Sequence, residues 1–226
     1  MSLNSFELTG RAASHVCAAP TLECVLHRRV ADAVIALRDE ARGAGIQVKI
    51  VSAFRDFNRQ VELWSAKYNG ERPLLDRAGH ALEVSKLYEN ELIDAILIWS
   101  ALPGASRHHW GTEIDVIDAA AVPAGYRPQL IAGEFAPGGC FAQLGGWLDS
   151  NMARFGFFRP YATDQGGVQP EPWHLSFASV SVAALELLSL DVLREAIETS
   201  VMPGRDLVLA RLPELYERYV LRVDQP

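Results

Sequence analysis

The sequence predicts an α+β fold in which a small antiparallel sheet is flanked by helices. Three observations predict it. Segments that alternate or are rich in β-branched residues, such as Ile46-Gln-Val-Lys-Ile-Val51 and Glu113-Ile-Asp-Val-Ile117, are few and short. Segments with apolar residues at helical spacing are longer and lie between them. The connecting loops are long. Pattern alone leaves a parallel arrangement open, and the antiparallel one is favoured.

The elements follow in order. Val30, Val34, Leu37 and Ala41 predict a helix over about 26–42, stopped by Gly43 and Gly45. The strand 46–51 runs directly into Ser52-Ala-Phe-Arg55. Residues 56–68 read as a helix with Asp56 as N-cap, since a short acceptor side chain satisfies a free amide there. Gly70, Pro73 and Gly79 make 69–80 a loop. A mostly apolar stretch with Leu87, Ile93, Ile96 and Leu97 predicts a largely buried helix over about 85–100, ended by Leu102-Pro-Gly104. The strand 113–117 puts Glu113, Asp115 and Ile117 on one face. Residues 119–139, rich in Pro, Gly and Ala, read as an irregular excursion. A helix over 141–155 ends at Gly156, and 157–160 and 173–177 are short strands. The tail 181–222 is two or three helices broken at Pro203-Gly204. The expected organisation is one domain, with a core over about 46–177 and a helical extension over about 180–222.

A chain of 226 residues can bury a sizeable core. Its net charge of -7 argues against a general nucleic-acid binder or a protein held on anionic lipid, because both need a surplus of Lys and Arg. No apolar run approaches the ~18 residues of a membrane span. Cys17, Cys24 and Cys140 are too few and scattered for a disulfide framework, and unpaired thiols are expected. A Cys17–Cys24 bridge stays open in an oxidising compartment. The first residues lack a basic stretch followed by an apolar one, so no secretory leader is read. The sequence as given is therefore expected in the cytoplasm, or in the periplasm if a leader has been removed.

The chemistry concentrates in two segments, Ser106-Arg-His-His-Trp-Gly-Thr-Glu-Ile-Asp115 and Glu171-Pro-Trp-His174. They offer imidazoles and a carboxylate as metal ligands and a spare carboxylate beside the last imidazole. Three protein ligands, an open position for water and a base are the inventory of a hydrolytic zinc site. Gly111 lets the backbone turn tightly between a histidine and Asp115. Spacing alone does not choose between His108 and His109, and Asp115 could equally be a buried partner for an arginine. Pro172 and Trp173 would fix Glu171 relative to His174, as a general base requires. A Cys/His or Ser/His nucleophilic hydrolase has little support, because no nucleophile sits in a recognisable local frame.

These residues resemble the M15 peptidases, the D-alanyl-D-alanine carboxypeptidase and dipeptidase group typified by VanY and VanX. The family pattern is Ser-x-His-x-x-Gly-x-x-x-Asp followed by Glu-Pro-Trp-His. Here it falls on Ser106, His108, Gly111 and Asp115, then Glu171, Pro172, Trp173 and His174. An upstream Ser-Gly-Tyr/Phe-Arg element is matched by Ser52-Ala-Phe-Arg55, followed by Gln60, with Ala53 in place of the usual Gly. The resemblance spans roughly 46–177. It implies one zinc ion held by His108, Asp115 and His174, with Glu171 as catalytic base. It implies that Arg55 holds substrate and stabilises the tetrahedral intermediate, and that Ser106, Gln60 and Ser52 line the substrate pocket. The implied fold is the sheet around zinc shared with the hedgehog signalling domain. The implied partner is a peptidoglycan-type peptide ending in D-alanine.

Glu113 departs from the pattern, since a small residue is usual there. It could hydrogen-bond a ligand from behind, bind a substrate amine, or face solvent. Trp110 reads equally as a pocket wall or as core. Among activities, D-alanyl-D-alanine carboxypeptidase is favoured. A dipeptidase or an L,D-/D,D-endopeptidase on the same scaffold stays open, as does a zinc-stabilised, non-catalytic binding module. Glu171 and Arg55 tell against the module, because neither is needed merely to hold metal.

Overall fold

A computed structural model describes residues 2–226. Its central sheet has four strands: β1 (Val48–Ser52), β2 (Glu113–Asp118), β3 (Phe157–Phe158) and β4 (His174–Phe177). The order across the sheet is β1-β2-β4-β3, and every pairing is antiparallel. The expected α+β architecture is the one observed. Seven helices of nine or more residues surround the sheet: α1 (Ala31–Gly43), α2 (Phe57–Tyr68), α3 (Glu89–Leu97), α4 (Ala142–Asn151), α5 (Ala178–Leu187), α6 (Leu190–Glu198) and α7 (Arg205–Tyr216). None is long and apolar enough to cross a membrane.

Strand register gathers the polar side chains. Asp115 stands opposite His174 on one side and opposite Ser52 on the other, across an irregularity between Ile50 and Ser52. Two residues along, Glu113 stands opposite Ser176. Residues directly opposite in an antiparallel pair share a face, as do residues two apart on one strand. Glu113, Asp115, His174 and Ser176 therefore project from one side. Ile114, Val116 and Leu175 project from the other, where they pack with Val34, Leu37 and Ala41 of α1 and with Leu144 and Leu148 of α4.

A second hydrophobic cluster joins Trp64 of α2 and Ile93 and Ile96 of α3 to Leu193, Ile197, Leu212 and Leu215 of the C-terminal helices. The helical extension thus shares a core with the elements that flank the site. Its last residues also hold a loop in place. The Asp224 carboxylate accepts the Ala162 and Thr163 amides at 2.9 Å each, and Arg218 Nε donates to the Gly166 carbonyl at 2.7 Å. That loop leads into Glu171.

Several boundaries differ from expectation. The helix expected from residue 26 begins at Ala31, because Cys24–His27 pairs with Val16–Ala19 in a hairpin. Leu26 is buried in either conformation, so its apolar character does not discriminate between them. The helix expected over 85–100 is shortened to Glu89–Leu97 and preceded by a tight turn at Val84–Lys86. The 69–80 loop contributes Leu74–Leu75 to a small hairpin with Ala81–Leu82. Asp56 is the N-cap of α2 and accepts the Arg59 amide at 2.7 Å. All three thiols are unbridged, Cys17 and Cys24 included.

Candidate metal centre and active site

His108 lies in a short 3-10 turn, Arg107–Trp110, that ends at Gly111. Gly111 has φ +67, and a Cβ there would sit 2.7 Å from the His27 backbone nitrogen. Only glycine lets the turn close this tightly against the N-terminal hairpin and deliver the chain into β2. The His108 Nδ1–H donates to the Ala53 carbonyl at 2.8 Å, which leaves Nε2 aimed at Asp115 Oδ2, 3.3 Å away. His174 Nδ1 lies 3.0 Å from Asp115 Oδ1. One donor atom each from His108, Asp115 and His174 lies within 4.8 Å of the others. Ligands at roughly 2.0–2.1 Å from a tetrahedral zinc are separated by about 3.3 Å, so the spacing and the nitrogen-oxygen donor set fit that ion.

His109 differs from its neighbour in its partners. Its Nδ1–H donates to the Arg55 carbonyl at 2.7 Å, and its Nε2 accepts the Gly104 amide at 3.2 Å. Both nitrogens are engaged by backbone, so His109 is a strut that ties the turn to the Arg55 segment. Burial holds it neutral, with its pKa pushed down to about 3. The unfolded chain takes up a proton near 6.5, so stability present above that pH is lost as pH falls toward 3. In urea unfolding of metal-free protein, the His109→Asn variant should lose about 1–2 kcal/mol less than wild type between pH 6.5 and 5. Equal losses would show that His109 accepts a proton in the fold.

Glu171, Pro172 and Trp173 form a turn closed by the His174 amide donating to the Glu171 carbonyl at 3.1 Å. The turn is anchored at both ends. The Glu171 amide donates to the Tyr161 carbonyl at 2.9 Å, and Arg159 Nε donates to the Pro172 carbonyl at 2.8 Å. These contacts place Glu171 Oε2 3.6 Å from His174 Nδ1. Burial pushes the Glu171 carboxyl up to about 7, and Asp115 adds to the shift, against the pull of His174, Lys67 and Arg55. A carboxyl poised near neutrality is suited to moving a proton.

Glu113 is fully buried behind this group. Its Oε2 accepts from His174 Nε2 at 3.0 Å, and its Oε1 accepts the Ser176 hydroxyl at 2.9 Å and the Thr112 hydroxyl at 3.1 Å. Arg107 Nη2 lies 3.4 Å from Oε1 and also donates to Ser176 Oγ at 2.7 Å. Burial would raise the Glu113 pKa, but Arg107 and His174 hold it down at about 2. Burial alone would lower His174, but its hydrogen bonds to Asp115 and Glu113 raise it to about 10. Of the three readings open for Glu113, the structure shows the hydrogen bond to His174 from behind.

A cleft of about 360 Å³ opens on this group, and Arg55 and Ser106 line it. Ser52 and Gln60 are placed otherwise than the pocket role expected of them. Gln60 is fully buried, and its Oε1 accepts from Arg55 Nη1 at 2.8 Å while its amide donates to the Ala101 carbonyl. Ser52 Oγ accepts from Arg55 Nη2 at 3.1 Å. Both hold the guanidinium in place, which a sequence match to a pocket motif does not distinguish from touching substrate. Trp110 is core: it is fully buried, and its Nε1 donates to the Leu8 carbonyl at 3.1 Å. The 119–139 excursion brings Gln129, Leu130 and Ile131 to the cleft. The buried Glu134 organises it by accepting from Tyr126 Oη at 2.6 Å and from the Gln129 amide at 2.8 Å.

Sequence reasoning missed Lys67 and Arg72, which also line the cleft. Lys67 follows Gln60 by seven residues on α2 and so shares its face, a signal the spacing contained. Burial pushes the Lys67 ammonium down to about 8, with Glu171 opposing the shift.

Comparison with known proteins agrees with this geometry. Residues 23–180 match the VanY family, described as D-alanyl-D-alanine carboxypeptidase. A Haemophilus influenzae protein without a described function is 33% identical over 122 residues, which is 53% of this chain and 93% of that one. The fold is shared with VanYB in complex with D-alanine-D-alanine, at a TM-score of 0.52 and 22% identity, over 84% of this chain and 91% of that one. It is shared equally with a mutant VanY D,D-pentapeptidase in complex with Zn(II), at 0.52 and 22%, over 82% and 92%. The family match spans well over half of the sequence, and the chain belongs to the VanY family of D-alanyl-D-alanine carboxypeptidases.

Proposed function

We propose that this protein is a zinc-dependent D,D-carboxypeptidase that hydrolyses peptidoglycan-type peptides ending in D-alanine. The observation that carries the reading is the convergence of His108, Asp115 and His174 on one point, with Glu171 beside them at the edge of a cleft. His108, through Nε2, Asp115, through a carboxylate oxygen, and His174, through Nδ1, would hold the metal. Zinc held there would supply a Lewis acid for the scissile carbonyl and a lowered pKa for water. Glu171 takes the proton of the attacking water and passes it to the leaving amine. Arg55, kept in place by Gln60 and Ser52, presents a permanent charge to the substrate. Ser106 stands beside His108 on the cleft wall. The solved relatives, one holding D-alanine-D-alanine and one Zn(II), support both the substrate and the metal.

The test is product analysis on a defined panel of stem peptides with the metal quantified. One zinc per chain is expected, with free D-alanine as product. Chelation should abolish release and added zinc should restore it. Release of a dipeptide, or cleavage inside the stem, would move the assignment to a dipeptidase or endopeptidase. Stoichiometric zinc without hydrolysis of any panel peptide would favour a binding module.

A further inference from the structure

The loop that leads into Glu171 is fitted against residues 217–224, which lie beyond the 23–180 span of the family match. Glu217–Leu221 continues α7 as one π-helical turn, a rare geometry that recurs at functional positions. The turn presents its Arg218 carbonyl to Gly167. A Cβ at residue 167 would sit 2.3 Å from that oxygen, so only glycine lets the loop lie this close. Arg218 Nε adds its bond to the Gly166 carbonyl at 2.7 Å. Val168 shares a hydrophobic cluster with Tyr219 and Val220, and Tyr161 packs against the same cluster.

Asp224 brackets Tyr161. Its backbone N–H donates to the Pro160 carbonyl at 2.9 Å. Its Oδ2 accepts the Ala162 and Thr163 amides at 2.9 Å each. Its Oδ1 accepts the Thr163 hydroxyl at 2.9 Å and the Gln165 side-chain amide at 3.0 Å. The neighbours of Tyr161 on both sides are therefore tied to one residue. Tyr161 in turn reaches the site at two points. Its carbonyl accepts the Glu171 amide at 2.9 Å, and its ring lies against the His174 ring with centroids 5.2 Å apart. Asp224 does not itself line the cleft, so any effect it has on the reaction passes through Tyr161 and its loop.

We propose that Asp224 is a positioning residue: by fixing Tyr161 it sets where the Glu171 carboxylate stands relative to His174. A reacting group misplaced by about 1 Å can cost on the order of 10²-fold in rate, so a tether this far from the cleft has leverage on turnover. The helical extension then does more than share a core with the elements flanking the site, since its far end holds the loop that carries the base. This rests on the peptidase reading above, which it deepens by naming what keeps Glu171 in place.

The experiment pairs turnover with amide hydrogen exchange on the zinc-loaded protein, so that the two readings fail separately. Asp224→Ala should lower kcat by about 10–100-fold while KM moves by less than about threefold and one zinc per chain is retained. Asp224→Asn should keep most of kcat. Its carbonyl can accept the Ala162 and Thr163 amides, and its NH2 can donate to the Thr163 hydroxyl and to a flipped Gln165 side chain. In the Glu171→Gln background, Asp224→Ala should leave the residual rate unchanged, because residues that act as one unit are not additive. The same fold-loss in both backgrounds would mark Asp224 as a general stabiliser and overturn the proposal, as would full turnover by Asp224→Ala. Amide exchange reads the tether without turnover. The Glu171 amide should exchange about tenfold faster in Asp224→Ala, while the amides of β4 keep their protection. An unchanged Glu171 amide would overturn the tether. Faster exchange at Glu171 in a protein that hydrolyses no stem peptide would uphold the tether and sink the peptidase assignment.

Discussion

Replacing Glu171 with Gln is expected to lower kcat by at least about 10²-fold while leaving one zinc per chain, because removal of a positioned general base typically costs 10²–10⁴. Glutamine keeps the size and one hydrogen-bonding oxygen of the carboxylate but cannot accept the proton. The prediction separates two jobs that the site assigns to different residues. Glu171 lies outside the group of converging donor atoms, so its loss should not release metal. Its turn is held by the Tyr161 carbonyl and by Arg159, contacts that involve backbone atoms of residues 171–174 and survive the change. A fall in activity accompanied by zinc loss would mean that Glu171 is a ligand. Full turnover by the variant would mean that the base lies elsewhere. The comparison is best made at constant zinc saturation, with metal content read on the same sample as the rate.

Much of this site was legible because local periodicity carries it. The alternation in 113–117 places Glu113 and Asp115 on one face without knowledge of the fold, and the strand is observed. The N-cap role of Asp56 follows from a similar local rule. Long-range register was not legible. Nothing in the spacing says that Asp115 stands opposite both His174 and Ser52, yet that register assembles the group. The choice between His108 and His109 also lay beyond the residues themselves. It is decided by backbone atoms of Ala53, Arg55 and Gly104, which sequence cannot place. Ser52 and Gln60 show a subtler gap. A motif match does not say whether a residue lines the cleft or holds the arginine that lines it, and the difference is a single side chain. The 119–139 excursion was opaque because its order comes from one buried carboxylate, Glu134, and not from a periodic pattern.

Removing the Glu113 carboxylate should weaken zinc binding without touching a ligand. His174 can present Nδ1 to a metal only if its Nε2 carries the proton, and the Glu113 carboxylate, 3.0 Å from Nε2, favours that tautomer and ring orientation. Losing such a partner typically lowers metal affinity 10–100-fold. Glu113→Ala is therefore expected to fall within that range in competition with a chelator of known affinity. It should also lose stability, because Arg107 is buried and would be left without its carboxylate, a loss of about 3–5 kcal/mol for a broken buried pair. The two effects can be pulled apart. Adding Arg107→Met to Glu113→Ala removes the stranded charge and should recover much of the stability, while the zinc affinity stays low. Glu113→Gln keeps an acceptor for His174 Nε2 but loses the charge, so its affinity should lie between wild type and Glu113→Ala. Ser176 bonds Glu113, Arg107 and the Ser181 hydroxyl at once, so Ser176→Ala should shift affinity in the same direction by a smaller factor. If Glu113→Ala binds zinc as tightly as wild type, the pairing of β2 with β4 alone orients His174. The buried carboxylate at 113 would then serve only to neutralise Arg107.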